Sequence, residues 1–420
     1  MIRTIMPGER TGCVSVPSSK SMAHRYLISA ALSHGASQII CPGISKDIEA
    51  TISCLRAMGA DIQADAEVIT VKPIRQDAGA KRPACILPCA ESGSTLRFLL
   101  PVVGALGLDA VFKMEGRLPE RPMKEYEDVL RSNGMIIERN AAELHCSGRL
   151  KSGVFSLPGN ISSQYFSGLM FSLPLLKGSS QIIIEGKLES ADYFEMTRSV
   201  LKDSGISWKE NCGIIEVPGD QEYNVPDRIN VEGDYSSAAF FLCAGALSES
   251  GICVKNLRSD SKQGDSRIVD ILRQFGADIL QTSDSVMVRA RSLKGTDIDA
   301  SEIPDLIPVL SVVASVAKGR TNITNASRLR LKESDRLSST SGLLKLLGAQ
   351  VEETDDGLII EGRNTLAGGV SADPSNDHRI AMSAAVAACV CEKPVTVENA
   401  ECVEKSYPDF WKDLDSLNTV

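Results

Sequence analysis

A chain of 420 residues exceeds what one hydrophobic core organises, so two domains of roughly 200 residues each are expected. Hydrophobic residues at 43% and charged residues at 24% describe a globular protein. A net charge of −9 with only 5% aromatics excludes the basic, ring-studded surface of a nucleic-acid binder, so any anion site must be local.

Met1-Ile2-Arg3-Thr4 leads to Pro7-Gly8 without an apolar signal stretch, and the runs 305–317 and 380–391 are too short to cross a bilayer. A cytoplasmic protein with no membrane partner is expected. The twelve cysteines are scattered without a Cys-x-x-Cys pair, and none of the four histidines lies at zinc-finger spacing from them. Buried, reduced thiols are therefore expected, with no metal and no cofactor.

The first predicted helix opens at Pro17-Ser18-Ser19-Lys20-Ser21 and runs through Tyr26-Leu27-Ile28 to a stop at Gly35. Ser18 or Ser19 can cap its first turn, whose free N–H groups, joined by Lys20 and Arg25, suit a phosphate or carboxylate. The same layout returns along the chain. Gly93-Ser94-Thr95-Leu96-Arg97, Ser162-Ser163-Gln164, Asp234-Tyr235-Ser236, Pro304-Asp305 and Asn376-Asp377-His378-Arg379 each open an apolar run. The starts recur about every 70 residues, which is an internal repeat.

A second series has the same period. Leu55-Arg56-Ala57-Met58-Gly59 is matched by Leu130–Gly134, Leu201–Gly205, Leu272–Gly276 and Leu344–Gly348. Each is a helix end with a basic last turn and Gly at C′, leading into an alternating strand. Strands are expected at 67–72, 213–217, 285–290 and 357–361. The repeat is thus a βαβαββ unit. Six units make a two-domain α/β (α+β) fold with three in each domain, the last completed by an N-terminal strand near Thr11–Val16. The domains are expected at 18–232 and at 1–17 with 233–420, with a ligand cleft between them.

These residues together resemble the 5-enolpyruvylshikimate-3-phosphate synthase family over nearly the whole chain. The resemblance rests on Pro17–Ser21 with Arg25, Ser92–Arg97, Arg121-Pro122-Met123 and Ser162-Ser163-Gln164. It extends through Ile303-Pro304-Asp305, Lys332–Arg336, Asn376–Arg379 and Lys405-Ser406-Tyr407-Pro408-Asp409. It implies two domains of three βαβαββ units that close on substrate. It also implies transfer of the enolpyruvyl group of phosphoenolpyruvate to the 5-hydroxyl of shikimate 3-phosphate, in aromatic amino acid biosynthesis. No cofactor is implied, the partners are the two small molecules, and a monomer is expected.

By this resemblance Lys20, Gly93, Arg121, Gln164, Arg336, Arg379 and Lys405 hold phosphoenolpyruvate, since guanidinium forks match carboxylate and phosphate oxygens. Lys20, Ser21, Arg25, Ser162, Ser163, Gln164, Ser190, Asp305 and Lys332 hold shikimate 3-phosphate, with Tyr193 nearby. Asp305 sits between Pro304 and an apolar run. Read alone it is either a first-turn helix acid or a partly desolvated carboxyl with a raised pKa. The resemblance makes it the base on the attacking hydroxyl. Lys20 and Glu333 are the other proton carriers, and His378 is either a phosphate partner or a structural helix-start histidine.

Two positions depart from the family motif. Glu91 stands where Asn is usual, which calls for a compensating cation, Arg97 or Lys20, because a bare carboxylate would repel phosphoenolpyruvate. Arg328 also replaces a frequent Asn. The sister enolpyruvyltransferases that act on UDP-N-acetylglucosamine carry a reactive Cys before the phosphoenolpyruvate-binding Arg. Residues 113–121 contain none. A non-catalytic anion binder would not need Asp305, Glu333 and Lys20 together.

Overall fold

The computed structural model describes residues 1–74, 84–211 and 213–419. Its contacts divide the chain into two compact units, Lys20–Val231 and Met1–Ser19 with Glu232–Val420. Each unit has its own hydrophobic core.

The Lys20–Val231 unit contains α1 (Lys20–Leu32), α2 (Lys46–Ala57), α3 (Gly93–Leu106), α4 (Lys124–Ser132), α5 (Ser163–Ser172) and α6 (Ala191–Asp203). It has three four-stranded sheets of one design. In the third, Val154–Pro158 runs parallel to Ser180–Glu185 across α5, and the hairpin of Lys209–Asn211 and Ile214–Val217 follows α6. The second sheet joins Cys85–Ala90, Ala110–Met114, Glu143–Gly148 and Met135–Asn140 in the same order. In the first, Ser37–Ile40 pairs with Val68–Lys72, and the leading parallel strand is Arg228–Asn230, from the far end of the unit.

The other unit contains α7 (Tyr235–Ala246), α8 (Ile268–Phe275), α9 (Ile307–Ala314), α10 (Arg336–Leu346), α11 (His378–Ala387) and α12 (Phe410–Ser416). The strand expected to complete the last repeat lies elsewhere. Arg10–Ser15 pairs in parallel with Ile252–Lys255, so it leads the fourth repeat. The sixth sheet is closed by Arg3–Ile5 against Val395–Val397. The chain path explains the difference. It leaves this unit at Pro17–Ser19 and returns beside the same point, where Ser19 N donates to Glu232 O and Asp234 N to Pro17 O. The strand just before the exit therefore lies next to the repeat that resumes at the return.

The odd-numbered helices α1, α3, α5, α7, α9 and α11 open the six repeats and are buried on nearly every face. Their continuous apolar composition makes them interior helices. In the first five repeats the following helices, α2, α4, α6, α8 and α10, lead into the expected glycines. Gly276 and Gly348, after α8 and α10, have φ of 99° and 93°, a region that only glycine enters cheaply.

One inner contact is tight enough to fix a functional side chain. Pro101 inside α3 has no N–H for the carbonyl of Arg97, and the Tyr126 hydroxyl donates to that carbonyl at 3.1 Å instead. α5 approaches at Gly168, where a Cβ would come within 2.3 Å of both Arg97 O and Tyr126 Oη.

Candidate active site

The first turns of three inner helices of the Lys20–Val231 unit carry candidate binding residues. α3 is capped by Ser92, whose Oγ accepts from Thr95 N, so Gly93 opens the helix with its N–H groups directed outward. Two guanidinium groups crowd Gly93: a Cβ there would lie 2.7 Å from Arg97 Nη1 and 3.0 Å from Arg121 Nη1. Gln164, in the first turn of α5, accepts from Arg97 Nη1 at 2.8 Å and donates to Ser94 Oγ at 2.9 Å. Arg97 also donates to Pro122 O, which Tyr165 Oη holds at 2.5 Å. Gly93, Arg121 and Gln164, from three separate motifs, are thus brought together, with Arg97 between them.

On α1, Lys20 Nζ donates to Asp47 Oδ2 at 2.8 Å. The Arg25 guanidinium is committed to protein. Its Nε donates to Thr197 Oγ1 at 2.8 Å, and Nη1 and Nη2 donate to Ser21 O and Tyr193 O at 2.6 Å each. It lies over the Phe98 ring, and burial pulls its pKa down to about 9, which still leaves it cationic at neutral pH. Arg25 thereby ties the start of α1 to the start of α6, where Ser190 precedes the helix at φ 54°. Ser162 caps α5 by accepting from Gln164 N at 3.3 Å, with Ser163 as the first helical residue. The Glu91 carboxylate packs against Gly116.

The other unit holds a dense ion network. Arg336, the first residue of α10, donates to Asp377 Oδ2 at 2.8 Å, Asp305 Oδ1 at 2.8 Å and Glu333 Oε2 at 2.6 Å. Arg379 donates to Asp305 Oδ2 at 2.9 Å and Asp305 O at 3.1 Å, and Lys332 Nζ lies 3.5 Å from Asp305 Oδ1. Asp377 caps α11 through Arg379 N and also accepts from Ser334 Oγ at 3.0 Å. Lys405 Nζ donates to Asn376 O at 2.7 Å, and that carbonyl is turned by left-handed backbone at Ser375 and Asn376. His378 is buried beside Asp377, its Nδ1 3.8 Å from the carboxylate.

The expectation of a raised Asp305 pKa is overturned. Burial does push the carboxyl up, but Arg379, Lys332 and Arg336 together outweigh burial and hold it well below the ordinary range. Burial pulls Lys332 down to about 8 against the opposing pull of Asp305, and Arg336 and then Arg328 lower it further.

Two carboxylates, one in each unit, carry no candidate role in the sequence reading. Asp377 was quoted only as part of a motif, although an N-cap Asp before a helix start is a legible signal. Asp47 gave none, because its partner Lys20 lies 27 residues away on another helix. Among the described residues no group of His, Cys, Asp or Glu is placed to hold a metal, and no helix is long and apolar enough to cross a membrane.

Fold and site together define a two-unit enolpyruvyltransferase-like protein with clustered cations and carboxylates at helix starts. Residues 6–414 match the family model described as EPSP synthase (3-phosphoshikimate 1-carboxyvinyltransferase). The chain is 43% identical to the 3-phosphoshikimate 1-carboxyvinyltransferase of Clostridioides difficile, covering 98% of this chain and 96% of that one. It is 44% identical to that of Clostridium acetobutylicum, over 97% and 95%. The solved EPSP synthase of Acinetobacter baumannii superposes with a TM-score of 0.82 at 26% identity, over 100% of this chain and 99% of its own. The chain belongs to the EPSP synthase family.

Proposed function

We propose that this enzyme transfers the enolpyruvyl group of phosphoenolpyruvate to the 5-hydroxyl of shikimate 3-phosphate, releasing phosphate, in aromatic amino acid biosynthesis. The observation that carries the residue assignment is Asp305. It is a carboxylate held by Arg336, Arg379 and Lys332, where a base and the cations for two anionic substrates are needed together.

In this reading Lys20, Arg121, Arg336, Arg379 and Lys405 bind phosphoenolpyruvate, with Gln164 and the N–H groups at Gly93. Ser21, Arg25, Ser162, Ser163, Gln164, Ser190 and Lys332, again with Lys20, bind shikimate 3-phosphate. Asp305 takes the proton of the attacking hydroxyl as its oxygen bonds to C2 of phosphoenolpyruvate. The methylene carbon accepts a proton from Lys20 or Glu333. The tetrahedral adduct then loses phosphate, and the methyl group returns a proton to re-form the double bond. Fixed guanidinium groups stabilise the phosphate as it leaves. Both substrate sets belong to one chain, which supports a working monomer; a solution mass near 45.0 kDa checks this.

Phosphate release from phosphoenolpyruvate, measured with shikimate 3-phosphate and separately with UDP-N-acetylglucosamine, tests the reading. Release only with shikimate 3-phosphate, abolished by Asp305→Ala, is expected. Release with the nucleotide sugar would reassign the acceptor, and release from neither would refute the activity.

A further inference from the structure

α1, α2 and α3 are joined by a chain of buried side-chain hydrogen bonds that the roles above do not use. His24 Nδ1 lies 2.7 Å from Thr51 Oγ1, and Thr51 Oγ1 lies 2.6 Å from Thr95 Oγ1. Thr95 Oγ1 donates to Ser92 Oγ at 2.7 Å. All four side chains are fully buried.

The chain has a direction. A threonine hydroxyl carries one proton, and Thr95 commits its own to Ser92. Thr51 therefore donates to Thr95, and His24 donates to Thr51 from Nδ1. The imidazole is neutral, because burial and the neighbouring charges of Lys20 and Arg25 all disfavour the cation.

Spacing gives the chain its leverage. Lys20 and His24 are four residues apart on α1, and their partners Asp47 and Thr51 are four apart on α2. The two bonds are successive rungs, one helical turn apart, so α1 cannot roll or slide on α2 without breaking both. At the far end, Ser92 Oγ caps α3 by accepting from Thr95 N at 3.3 Å, immediately before Gly93. One continuous path thus runs from the lysine turn of α1 to the glycine turn of α3.

We propose that His24, Thr51 and Thr95 are positioning residues that set Lys20 and the Gly93–Ser94 turn in register, and so determine affinity for phosphoenolpyruvate. The proposal rests on the assignment of Lys20 and Gly93 to that substrate. The bonds from Arg25 to Thr197, Ser21 and Tyr193 do not pass through this chain. Of the residues assigned to shikimate 3-phosphate, Lys20 is set by this chain while Arg25 is not, so that substrate is affected less than phosphoenolpyruvate when the chain is cut.

The test is steady-state phosphate release on the full chain, with the KM of each substrate measured for Thr51→Val, His24→Leu, His24→Asn and the double variant His24→Leu/Thr51→Val. Valine keeps the shape of Thr51 without its hydroxyl. An Asn amide places a polar atom where Nδ1 stands. Thr51→Val and His24→Leu are expected to raise the KM for phosphoenolpyruvate about tenfold, a lost buried hydrogen bond's worth, with a clearly smaller rise in the KM for shikimate 3-phosphate, which shares only Lys20 with the chain. His24→Asn is expected to stay near wild type, and the double variant to be no worse than either single change, since both cut one chain.

A wild-type KM for phosphoenolpyruvate in Thr51→Val would overturn the proposal. So would an equal rise for both substrates, which is the mark of a merely structural role. Should Thr51→Val not fold, the double variant, which removes both polar partners, gives the same reading. An active wild type with unmoved variants sinks the positioning role alone, whereas an inactive wild type sinks the assigned reaction and this proposal with it.

Discussion

Replacing Asp305 by Asn removes the carboxylate that Arg336 and Arg379 both grip, at 2.8 and 2.9 Å. In the proposed site, an incoming phosphate would have to share those guanidinium groups with a fixed anion. Lys332, Arg336, Arg379 and Lys405 face Asp305, Glu333 and Asp377, a net charge of +1 that the substitution raises to +2. Two like charges about 4 Å apart repel by about 4 kcal/mol at an effective dielectric of 20. Solvent screening and the bonds an Asn oxygen still accepts reduce the net gain to about 1–2 kcal/mol, roughly a five- to thirtyfold tighter complex. Calorimetric titration of inorganic phosphate or phosphoenolpyruvate, without shikimate 3-phosphate, into wild type and Asp305→Asn measures this. Turnover with both substrates should fall by about a hundredfold or more, as expected for loss of a general base. The variant would then bind one substrate better while working worse. Unchanged or weaker anion binding would refute the idea that Asp305 competes with substrate for its cations.

Gly93→Ala places a methyl group against the guanidinium ends of two long side chains, Arg97 and Arg121, 2.7 and 3.0 Å away. Thermal stability should barely change while the KM for phosphoenolpyruvate rises by about tenfold, an order typical of a displaced charged contact. Gly168→Ala has no such escape, because its methyl group meets the Arg97 carbonyl and the Tyr126 hydroxyl of the packed interior. It should cost about 1–3 kcal/mol or more, read as a lowered denaturant midpoint. Lys332, whose pKa burial pulls down to about 8, would in the proposed role bind an anion only when protonated. Above pH 8 the KM for shikimate 3-phosphate should climb by about tenfold per pH unit, and Lys332→Arg should remove that alkaline limb. A flat profile for the wild type to pH 10 would show that Lys332 is not a ligand.

The repeat was legible because its signals are local. A capping Ser or Asp, an apolar run and a C′ glycine lie within one helix, and together they marked α1, α3, α5, α7 and α11 to within a few residues of their starts. Strand ownership was less legible. Arg10–Ser15 and Arg3–Ile5 are both short and alternating, and only the exit and return of the chain at Pro17–Asp234 decide which repeat each completes.

The sequence by itself determined the unit repeated six times, the helix starts that carry the candidate binding residues, and the motifs that name the family. What only the tertiary structure decided is which charges meet. Asp305 reaches Arg336 across 31 residues of chain and Arg379 across 74. Burial and three cations act on its carboxyl in opposite senses, and no reading of neighbours along the chain yields the sign of their sum. Coulomb energies follow distances in space, and for this carboxylate the distances belong to the packing of α9, α10 and α11.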